Sequence, residues 1–333
     1  MKILLASDAW PPQVNGVVRT MLSVTRELEG MGHDVAALTP QHFTTIPCPF
    51  YQEIRLALNP SARVASFVEA AAPDAIHIVT EGPIGLATRR WCLDNGYHFT
   101  TAYHTRFPEY LAVRYVAPRR MTYALLRRFH APSQGVMVAT DSVRSELAGR
   151  GFTNLVPWGR GVDPTLFDPS MRSEISEFPR PIFLSVGRVA QEKNLPAFLS
   201  LDLPGSKVVV GEGPALASLQ RRFPDAHFIG RRENAALARL YASADVFVFP
   251  SRTDTFGLVM LEALASGLPV AAYPVPGPLD VIGQSGAGVL DEDLGRAARA
   301  ALEISRERCR EHALSYTWTN CARQFLEQLS PIH

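Results

Sequence analysis

The stretch that decides the fold comprises residues 246–265 and reads VFVFPSRTDTFGLVMLEALA. Its first four residues are apolar and predict a buried strand, and residues 258–265 have the length and composition of a buried helix. The polar loop between them holds Asp254, and the helix holds Glu262. A strand, a short loop and a helix in this order form the repeating unit of a parallel sheet covered by helices.

The same unit recurs along the chain in two series. The first series of predicted strands comprises residues 3–7, 35–39, 75–79, 99–103, 136–140 and 155–157. The second series comprises residues 182–186, 208–210, 227–229, 246–249 and 270–272. Because 333 residues are about twice the size of a typical domain, the two series predict an α/β protein with two Rossmann-like domains.

A segment rich in proline and serine, residues 168–181, separates the two series and is typical of a linker. We therefore expect an N-terminal domain over residues 1–171 and a C-terminal domain over residues 172–315. Apolar residues at helical spacing over positions 316–329 predict a final amphipathic helix.

Composition narrows the classes of partner. The formal net charge is +1, so no global field favours nucleic acid, and a charged partner would need a local patch. The four cysteines form no Cys-x-x-Cys pair, which indicates neither a zinc site nor a disulfide framework and fits a cytoplasmic protein. The N-terminal apolar run is too short for a secretory segment, and no stretch approaches the ~20 apolar residues of a membrane-spanning helix.

Residues that could bind an anion lie where predicted strands end and helices begin. Gly16 stands at the start of the first helix, where the lack of a side chain would let a phosphate reach backbone N–H groups. The alternative is an ordinary turn glycine. Arg188 and Lys193 follow the strand at 182–186 and could neutralise a departing diphosphate, or belong to a solvated loop.

Two acids and a histidine are candidates for contacts with a ligand that carries hydroxyl groups. Glu262 lies among apolar residues, where a carboxylate needs donors, and either ribose hydroxyls or an internal salt bridge would supply them. Asp254 could accept from sugar hydroxyls or cap the following helix. His104, at the end of a predicted strand, could contact a sugar hydroxyl or be a core histidine.

Taken together, these residues resemble family 4 of the retaining glycosyltransferases, which have the GT-B fold. The resemblance is carried by Asn15-Gly16-Val17, Gly161-Val162-Asp163 through Phe167, Gly187-Arg188 through Glu192-Lys193-Asn194, Val210-Gly211-Glu212-Gly213-Pro214, and Phe256-Gly257-Leu258 through Glu262-Ala263. It implies two parallel sheets facing across a cleft, where a sugar leaves a nucleotide diphosphate. It also implies that a last helix at 316–333 completes the N-terminal domain.

The resemblance implies a role for each candidate residue. Arg188 and Lys193 would stabilise the leaving group, and Asp254 and His104 would contact the transferred sugar. The donor-binding set would consist of Gly16, Arg231, Phe256, Gly257, Leu258 and Glu262. The family usually has a glutamate where Asp254 stands, so this chain has a shorter first acid. Such enzymes are generally metal-independent, and we expect no metal and no cofactor.

A basic segment stands out in the predicted N-terminal domain. Between positions 103 and 130 the chain has six arginines against one acid, Glu109, with aromatic residues among them. A helix of this composition is suited to an anionic membrane surface, although a solvated helix face is the alternative. The proposed membrane and acceptor surface comprises Arg114, Tyr115, Arg119, Arg120, Tyr123 and Arg127.

Residues 80–83, 103–110 and 251–257 resemble the bacterial subgroup of the family that glycosylates lipids. The resemblance favours transfer of glucose or glucuronate from a UDP-sugar to diacylglycerol or ceramide, by an enzyme bound peripherally to the inner face of the membrane. The alternatives are a GDP-mannose-dependent α-mannosyltransferase and a non-catalytic nucleotide-sugar-binding or scaffold protein. A dehydrogenase is disfavoured because no Gly-x-Gly-x-x-Gly follows the first strand. The sugar, the base, the lipid and the oligomeric state stay open.

Overall fold

The structure, a computed structural model, describes residues 1–13, 15–48, 51–105 and 118–333. These residues form two compact units. One unit comprises residues 1–160 together with 318–333, and the other comprises residues 161–317.

Strands and helices are numbered in chain order over the described residues. The strands are β1 (Lys2–Ala6), β2 (Asp34–Leu38), β3 (Thr45–Cys48), β4 (Tyr51–Ala57), β5 (Ala75–Ile78), β6 (Thr100–Tyr103), β7 (Val136–Val138), β8 (Leu155–Pro157), β9 (Ile182–Val186), β10 (Ser206–Val210), β11 (His227–Phe228), β12 (Val246–Phe249), β13 (Val270–Ala272) and β14 (Gly288–Leu290). The helices are α1 (Gly16–Gly30), α2 (Ser61–Ala71), α3 (Pro83–Asp94), α4 (Arg119–His130), α5 (Asp141–Gly149), α6 (Leu195–Leu199), α7 (Leu216–Arg222), α8 (Asn234–Ser243), α9 (Leu258–Ala265), α10 (Pro278–Val281), α11 (Leu294–Ala301), α12 (Arg306–Ala313) and α13 (Trp318–Gln328).

Each unit is organised around a parallel sheet. Within the described residues, the first sheet has the order β2-β1-β5-β6-β7-β8 and the second has the order β11-β10-β9-β12-β13-β14. In both sheets the chain starts in the interior, builds outward on one side and then crosses to the other side, which is the doubly wound arrangement. The predicted fold class, two Rossmann-like domains with parallel sheets, is therefore confirmed.

The core of the first unit follows from the alternation of side chains along β1. Leu4 packs on one face of the sheet in a cluster that includes Val64 of α2. Leu5 packs on the other face with Met21 of α1 and Phe325 of α13. Because helices cover both faces, β1 is buried on both sides after the exposed Lys2, and its last four residues are apolar.

The last helix belongs to the first unit, although the second unit precedes it in the chain. The indole Nε1 of Trp158 donates a hydrogen bond to the carbonyl of Cys321 in α13, at 3.1 Å. The hydroxyl of Thr319 donates to Glu27 of α1 at 2.7 Å. Buried Phe325 belongs to the same core cluster as Trp158 and Leu5 of β1. The helix predicted at 316–329 is thus present, with bounds Trp318–Gln328.

The boundary between the units lies after Arg160, about ten residues before the predicted boundary at 171. The reason is that residues preceding the proline-rich segment are held by the second unit. The guanidinium of Arg310 donates to the carbonyls of Pro164 and Phe167 and to the carboxylate of Asp168. The predicted linker itself packs on the same unit, since Phe178 is buried against His227.

Every strand predicted from the sequence forms, but β3, β4 and β14 were not predicted. β3 contains Pro47, a residue that is unfavourable inside a sheet, and it pairs only with β4 among the described strands. β14 is three residues long and begins with Gly288, whose lack of a side chain allows close approach to the Val270 carbonyl. Neither β3 nor β14 has the long apolar run that is typical of a central strand.

Candidate functional site

The candidate donor site of the second unit lies where β9 and β12 are neighbours in the sheet. The chain crosses from one side of the sheet to the other between these strands, and ligands of doubly wound folds bind at this point, beyond the carboxyl ends of the strands. The loop after β9 contains Arg188 and Lys193, and the loop after β12 contains Asp254. The amide of Asn194 donates to the Pro250 carbonyl at 3.1 Å, which joins the two loops.

Lys193 and Asp254 form an ion pair across these loops. Nζ of Lys193 donates to Oδ1 of Asp254 at 2.6 Å, and the side chains are only 28% and 15% exposed. The other carboxylate oxygen, Oδ2, is buried and has no hydrogen-bond partner within the described residues. A buried carboxylate oxygen is poorly stabilised without a donor, so a ligand hydroxyl at this position would gain a hydrogen bond.

Asp254 does not cap the helix that follows it. α9 begins at Leu258, and Gly257 is the residue that precedes it, with a φ of +86° that favours glycine. A Cβ at Gly257 would also lie 2.8 Å from the Met260 side chain. The capping alternative for Asp254 is therefore wrong, and the N-cap residue, a glycine, has no side chain to offer the first N–H groups of α9.

Glu262 is buried inside α9, and a donor does reach it. The hydroxyl of Tyr241 in α8 donates to Oε2 of Glu262 at 3.0 Å. Glu262 is 6% exposed, and the Tyr241 ring is fully buried against Phe247 and Phe167. The expectation that this carboxylate needs donors is met in part by a tyrosine that the sequence did not single out. A carboxylate can accept several hydrogen bonds, so ribose binding stays a prediction.

Arg188, predicted to stabilise the leaving group, and Arg231, of the predicted donor-binding set, lie in loops of the same unit. Arg188 is half-buried between β9 and the short turn that holds Lys193. Arg231 is exposed and pairs with Glu233 two residues later, its Nε lying 3.0 Å from the carboxylate. Phe256 is buried, with its ring 6.3 Å from the ring of Tyr316, so only its backbone would contact a ligand.

Glycines hold the loops after β9 and β10 against each other. A Cβ at Gly211 would lie 1.9 Å from the carbonyl oxygen of Gly187, and one at Gly213 would lie 2.4 Å from that of Val189. Both glycines have positive φ angles. The contact is completed by the backbone N–H of Val189, which donates to the Glu212 carbonyl at 2.8 Å. The Gly-Glu-Gly sequence thus positions the loop that carries Arg188.

In the first unit, Gly16 is the first residue of α1 and is exposed. The side chain of Asn15 caps the helix by accepting from the backbone N–H of Val18 at 3.0 Å. This places the glycine at a helix N-terminus, as expected, while phosphate binding by it stays a prediction.

Asp8, which the sequence did not single out, joins the loops after β1 and β5. Its carboxylate accepts from the Thr80 hydroxyl at 2.9 Å and from the backbone N–H of Ile84 at 2.9 Å. Burial raises the pKa of Asp8, although these hydrogen bonds act in the opposite direction. A Cβ at Gly82 would lie 2.5 Å from the carboxyl carbon. A polar residue directly after a buried strand was the sequence signal for this contact.

His104 follows β6 and contacts two residues of the segment after β8. The guanidinium of Arg160 lies 3.3 Å from Nδ1 of His104, and the Trp158 ring lies edge-on at 5.5 Å between centroids. Burial, followed by the charges of Arg160, His77 and His130, lowers the pKa of His104 well below its usual range. His104 is therefore a neutral imidazole at physiological pH. Arg160 was not predicted.

Only part of the predicted membrane surface lies in the described residues. Arg114 and Tyr115 lie outside the described residues, whereas Arg119, Arg120 and Arg127 lie exposed on α4. Tyr123 is wrongly placed in the prediction. It is 5% exposed, its ring lies under the guanidinium of Arg150, and its hydroxyl donates to Glu146.

The exposed side of α4 carries two apolar residues that the prediction omitted. Met121 is 58% exposed and Leu125 is 61% exposed. They are four residues apart and therefore adjacent on one helix face. No helix among the described residues has both the length and the hydropathy to cross a bilayer.

The acidic cluster at 291–293 lies at the surface, directly before α11. Asp291 pairs with Arg296, and Asp293 caps α11 by accepting from the backbone N–H of Arg296. Glu292 pairs with Arg252, whose guanidinium lies 3.6 Å above the Tyr273 ring. These acids are thus occupied by arginines and by a helix cap.

Both halves of the chain match known protein families. Residues 14–166 match Glycosyltransferase Family 4, and residues 180–307 match Glycosyl transferases group 1.

Curated relatives match over most of the chain. A GDP-mannose-dependent alpha-mannosyltransferase of Mycobacterium tuberculosis is 30% identical over 87% of this chain and 83% of its own length. Sulfoquinovosyl transferase of Arabidopsis thaliana is 31% identical over 81% of this chain, which spans 58% of that relative. Alpha-monoglucosyldiacylglycerol synthase of Streptococcus pneumoniae is 27% identical, over 95% of this chain and 81% of its own length.

Solved structures share the fold. Sucrose-phosphate synthase from Thermosynechococcus elongatus matches with a TM-score of 0.76 and 19% identity, over 98% of this chain and 97% of that one. Anabaena HepE, solved in complex with UDP and glucose, matches with a TM-score of 0.71 and 14% identity, over 98% of both chains. The cleft expected between the two domains stays a prediction.

Proposed function

We propose that this chain, which belongs to the family 4 glycosyltransferases with the GT-B fold, transfers glucose or glucuronate from a UDP-sugar to a membrane lipid such as diacylglycerol or ceramide. The observation that carries the donor half of the proposal is the group Lys193, Asp254 and Glu262 at the crossover point of the second sheet. The observation that carries the acceptor half is the exposed face of α4.

The donor half rests on the chemistry of these residues. Arg188 and Lys193 supply positive charge for a departing diphosphate, and the N-terminus of α9, where the N-cap is a glycine, supplies backbone N–H groups. Oδ2 of Asp254, which has no hydrogen-bond partner in the part of the chain that the structure describes, accepts from a sugar hydroxyl and fixes the orientation of the transferred sugar. Glu262 accepts from the ribose. Arg231 and the backbone of Phe256 complete the donor site.

The reaction breaks the bond between the anomeric carbon and the diphosphate oxygen and joins that carbon to the acceptor hydroxyl. In a retaining transfer on one face of the sugar, the departing phosphate takes the proton of the acceptor hydroxyl. Lys193 and Arg188 stabilise the charge that develops on the leaving oxygen. Stabilisation of developing charge by preorganised groups is usually the largest single contribution to catalysis. We propose that no metal is required, because these cations meet that charge.

The acceptor half rests on α4. The helix contains Arg119, Arg120, Arg127 and Arg128 and no acidic residue. Met121 and Leu125 project from the same exposed side, so apolar side chains would enter the bilayer while arginines contact anionic head groups. One relative, alpha-monoglucosyldiacylglycerol synthase of Streptococcus pneumoniae, is named for a glycolipid product, which supports a lipid acceptor. The resulting location is the inner face of the cytoplasmic membrane.

The donor assignment is tested by nucleotide release from the purified chain. UDP-glucose, UDP-glucuronate and GDP-mannose are each offered with vesicles containing diacylglycerol or ceramide. We expect release of UDP that depends on the lipid, with Glu262→Gln as the variant that reduces it. Release of GDP with a soluble glycan, and none of UDP with lipid, would overturn the assignment in favour of a mannosyltransferase, which the name of the M. tuberculosis relative also supports. Unchanged vesicle binding without any turnover would indicate a scaffold.

The membrane surface is tested by sedimentation with vesicles of phosphatidylglycerol and phosphatidylcholine, compared with phosphatidylcholine alone. Met121→Ser combined with Leu125→Ser should weaken binding about tenfold or more, because each buried apolar side chain contributes ~1.5–3 kcal/mol. The matched control combines Leu86→Ser and Leu93→Ser, two leucines of α3 that are 52% and 45% exposed. Equal losses in both double variants would contradict a surface centred on α4.

A further inference from the structure

Arg160 is a buried cation that makes specific contacts at the end of the first unit. It is 6% exposed, and one guanidinium nitrogen donates to the carbonyls of Trp158 and Gly159, each at 2.8 Å. Within residues 1–13, 15–48, 51–105 and 118–333, no carboxylate forms an ion pair with it. A buried charge without a counter-ion is costly, and burial lowers the pKa of Arg160 to about 10. Such a residue requires an explanation beyond packing.

The remaining hydrogen bond of this guanidinium goes to His104. Its second terminal nitrogen lies 3.3 Å from Nδ1 of the imidazole. A guanidinium carries only donors, so Nδ1 must act as the acceptor. In a neutral imidazole whose Nδ1 accepts, the ring proton is on Nε2.

The surroundings hold both partners in place. The Arg160 guanidinium lies 4.3 Å from the centre of the Trp158 ring, and His104 packs edge-on against the same ring. Trp158 is fully buried and is anchored by its hydrogen bond to the Cys321 carbonyl of α13. The tryptophan therefore fixes the distance between the guanidinium and the imidazole, and the last helix fixes the tryptophan.

We propose that Arg160 is a positioning residue that holds His104 as the neutral tautomer with its proton on Nε2, so that His104 donates a hydrogen bond to an oxygen of the transferred sugar. The contact between His104 and the sugar rests on the proposed function, whereas the tautomer does not. The positive charge of Arg160 opposes protonation of the ring, as do His77 of β5 and His130 of α4. His104 then stays a donor without becoming a cation.

The tautomer is measured directly by two-bond 1H–15N spectra of the chain labelled at its nine histidines, with His104→Gln to assign the signal. In the wild type we expect a neutral ring protonated on Nε2 throughout the neutral pH range. In Arg160→Met, which keeps the length of the side chain but has no donors, we expect mixed tautomers or protonation at higher pH. A wild-type signal for a proton on Nδ1, or an unchanged pattern in Arg160→Met, overturns the proposal.

A second arginine serves as the matched control. Arg89 also donates to two backbone carbonyls in the first unit, those of Phe129 and Arg128. Arg89→Met should leave the His104 signal unchanged. Arg160→Lys provides a folded alternative if Arg160→Met unfolds. It keeps the charge but lacks the two terminal nitrogens of the guanidinium, which contact the carbonyls and the imidazole at the same time. The His104 signal of Arg160→Lys should fall between those of the wild type and Arg160→Met. A signal identical to that of the wild type would contradict a role for the branched guanidinium.

Kinetics then tests what the tautomer does. Arg160→Met should lower kcat about tenfold to a hundredfold with little change in the KM for the lipid. His104→Gln, whose amide nitrogen can reach the place of Nε2, should retain more activity than His104→Asn. Combining Arg160→Met with His104→Asn should cost no more than His104→Asn alone, and additive losses would show that Arg160 acts elsewhere. If the wild type shows His104 protonated on Nε2 but transfers sugar from none of the donors, the proposed function is refuted and the tautomer proposal stands.

Discussion

Nζ of Lys193 lies 2.6 Å from Oδ1 of Asp254, and this ion pair joins the loop after β9 to the loop after β12. In the proposed reaction Lys193 therefore has two roles. It pairs with Asp254, which would contact the sugar, and it would stabilise the charge on the departing diphosphate. The other oxygen of Asp254 has no hydrogen-bond partner within the described residues, and our proposal assigns it to the sugar. If so, the length of the acid should influence which sugar is accepted.

We expect Asp254→Glu to change donor preference rather than abolish activity. One added methylene moves the carboxylate relative to Lys193 and to the sugar, and such a change in a pocket is worth about 10–200-fold in discrimination. The measurement is kcat/KM for UDP-glucose and UDP-glucuronate in the wild type and the variant. Asp291→Asn, at a surface ion pair with Arg296, is the control. An unchanged ratio of the two kcat/KM values would contradict a role in donor choice.

Removal of the Tyr241 hydroxyl should weaken nucleotide binding. In Tyr241→Phe the buried Glu262 carboxylate loses a donor, which costs roughly 0.5–1.5 kcal/mol and leaves the acid less well oriented for the ribose. Calorimetric titration with UDP should show a Kd raised about two- to tenfold. Tyr97→Phe, in the first unit, controls for loss of a phenolic hydroxyl. An unaltered Kd in Tyr241→Phe would place the ribose away from Glu262.

Gly211→Ala should destabilise the second unit strongly. The new Cβ would lie 1.9 Å from the Gly187 carbonyl, so the loops after β9 and β10 would have to separate. We expect a loss of roughly 3 kcal/mol or more in the free energy of unfolding, measured with urea. Gly187→Ala is the control, because it has a similar positive φ but no atom within 4 Å of the added Cβ. Equal losses would mean that backbone strain alone, and not the close approach, explains the glycine.

His77 should make the fold sensitive to acid. Burial, and then the charge of Arg160, lowers its pKa to about 3, so between pH 6.5 and 3 the unfolded chain binds a proton that the folded chain does not. Stability is therefore lost as the pH falls through this range, by up to about 1.4 kcal/mol per pH unit. The raised pKa of Asp8 has the opposite effect on stability as the pH falls. This effect cancels in a comparison of the wild type with a variant at His77, because both proteins contain Asp8.

The comparison is between the wild type and His77→Phe, which keeps a ring against Phe325 and Trp158 but cannot titrate. Urea unfolding at several pH values should show a smaller loss of stability on acidification in the variant. Its stability at neutral pH should be slightly lower, since Thr100 loses its contact with the imidazole. Parallel pH profiles would exclude His77 as the source of acid sensitivity.

Removal of divalent metal should not affect turnover. Arg188, Lys193 and the N-terminus of α9 are proposed to meet the charge on the leaving diphosphate, so EDTA should leave the initial rate of nucleotide release unchanged. A rate that falls with EDTA and returns with Mg²⁺ would show that these cations are insufficient.

Much of the fold could be predicted because local patterns suffice for it. The largely apolar runs at 182–186, 246–249 and 270–272 form strands with the predicted bounds, since short runs of this composition are typical of strands in a sheet covered on both faces. The boundary at 171 could not be predicted as well, because the contacts of Arg310 with residues 164–168 join positions about 140 residues apart.

For the site, the sequence by itself determined which residues stand at the ends of strands: His104, Arg188, Lys193, Asp254 and, within the next helix, Glu262. Their order along a repeating strand–helix pattern is local information. Only the tertiary structure decided their partners, Tyr241 for Glu262, Lys193 for Asp254 and Arg160 for His104. It also decided that Tyr123 is buried while Met121 and Leu125 are exposed. The physical reason is that a hydrogen bond or a buried face depends on which strands and helices become neighbours, and a local sequence pattern does not contain that information.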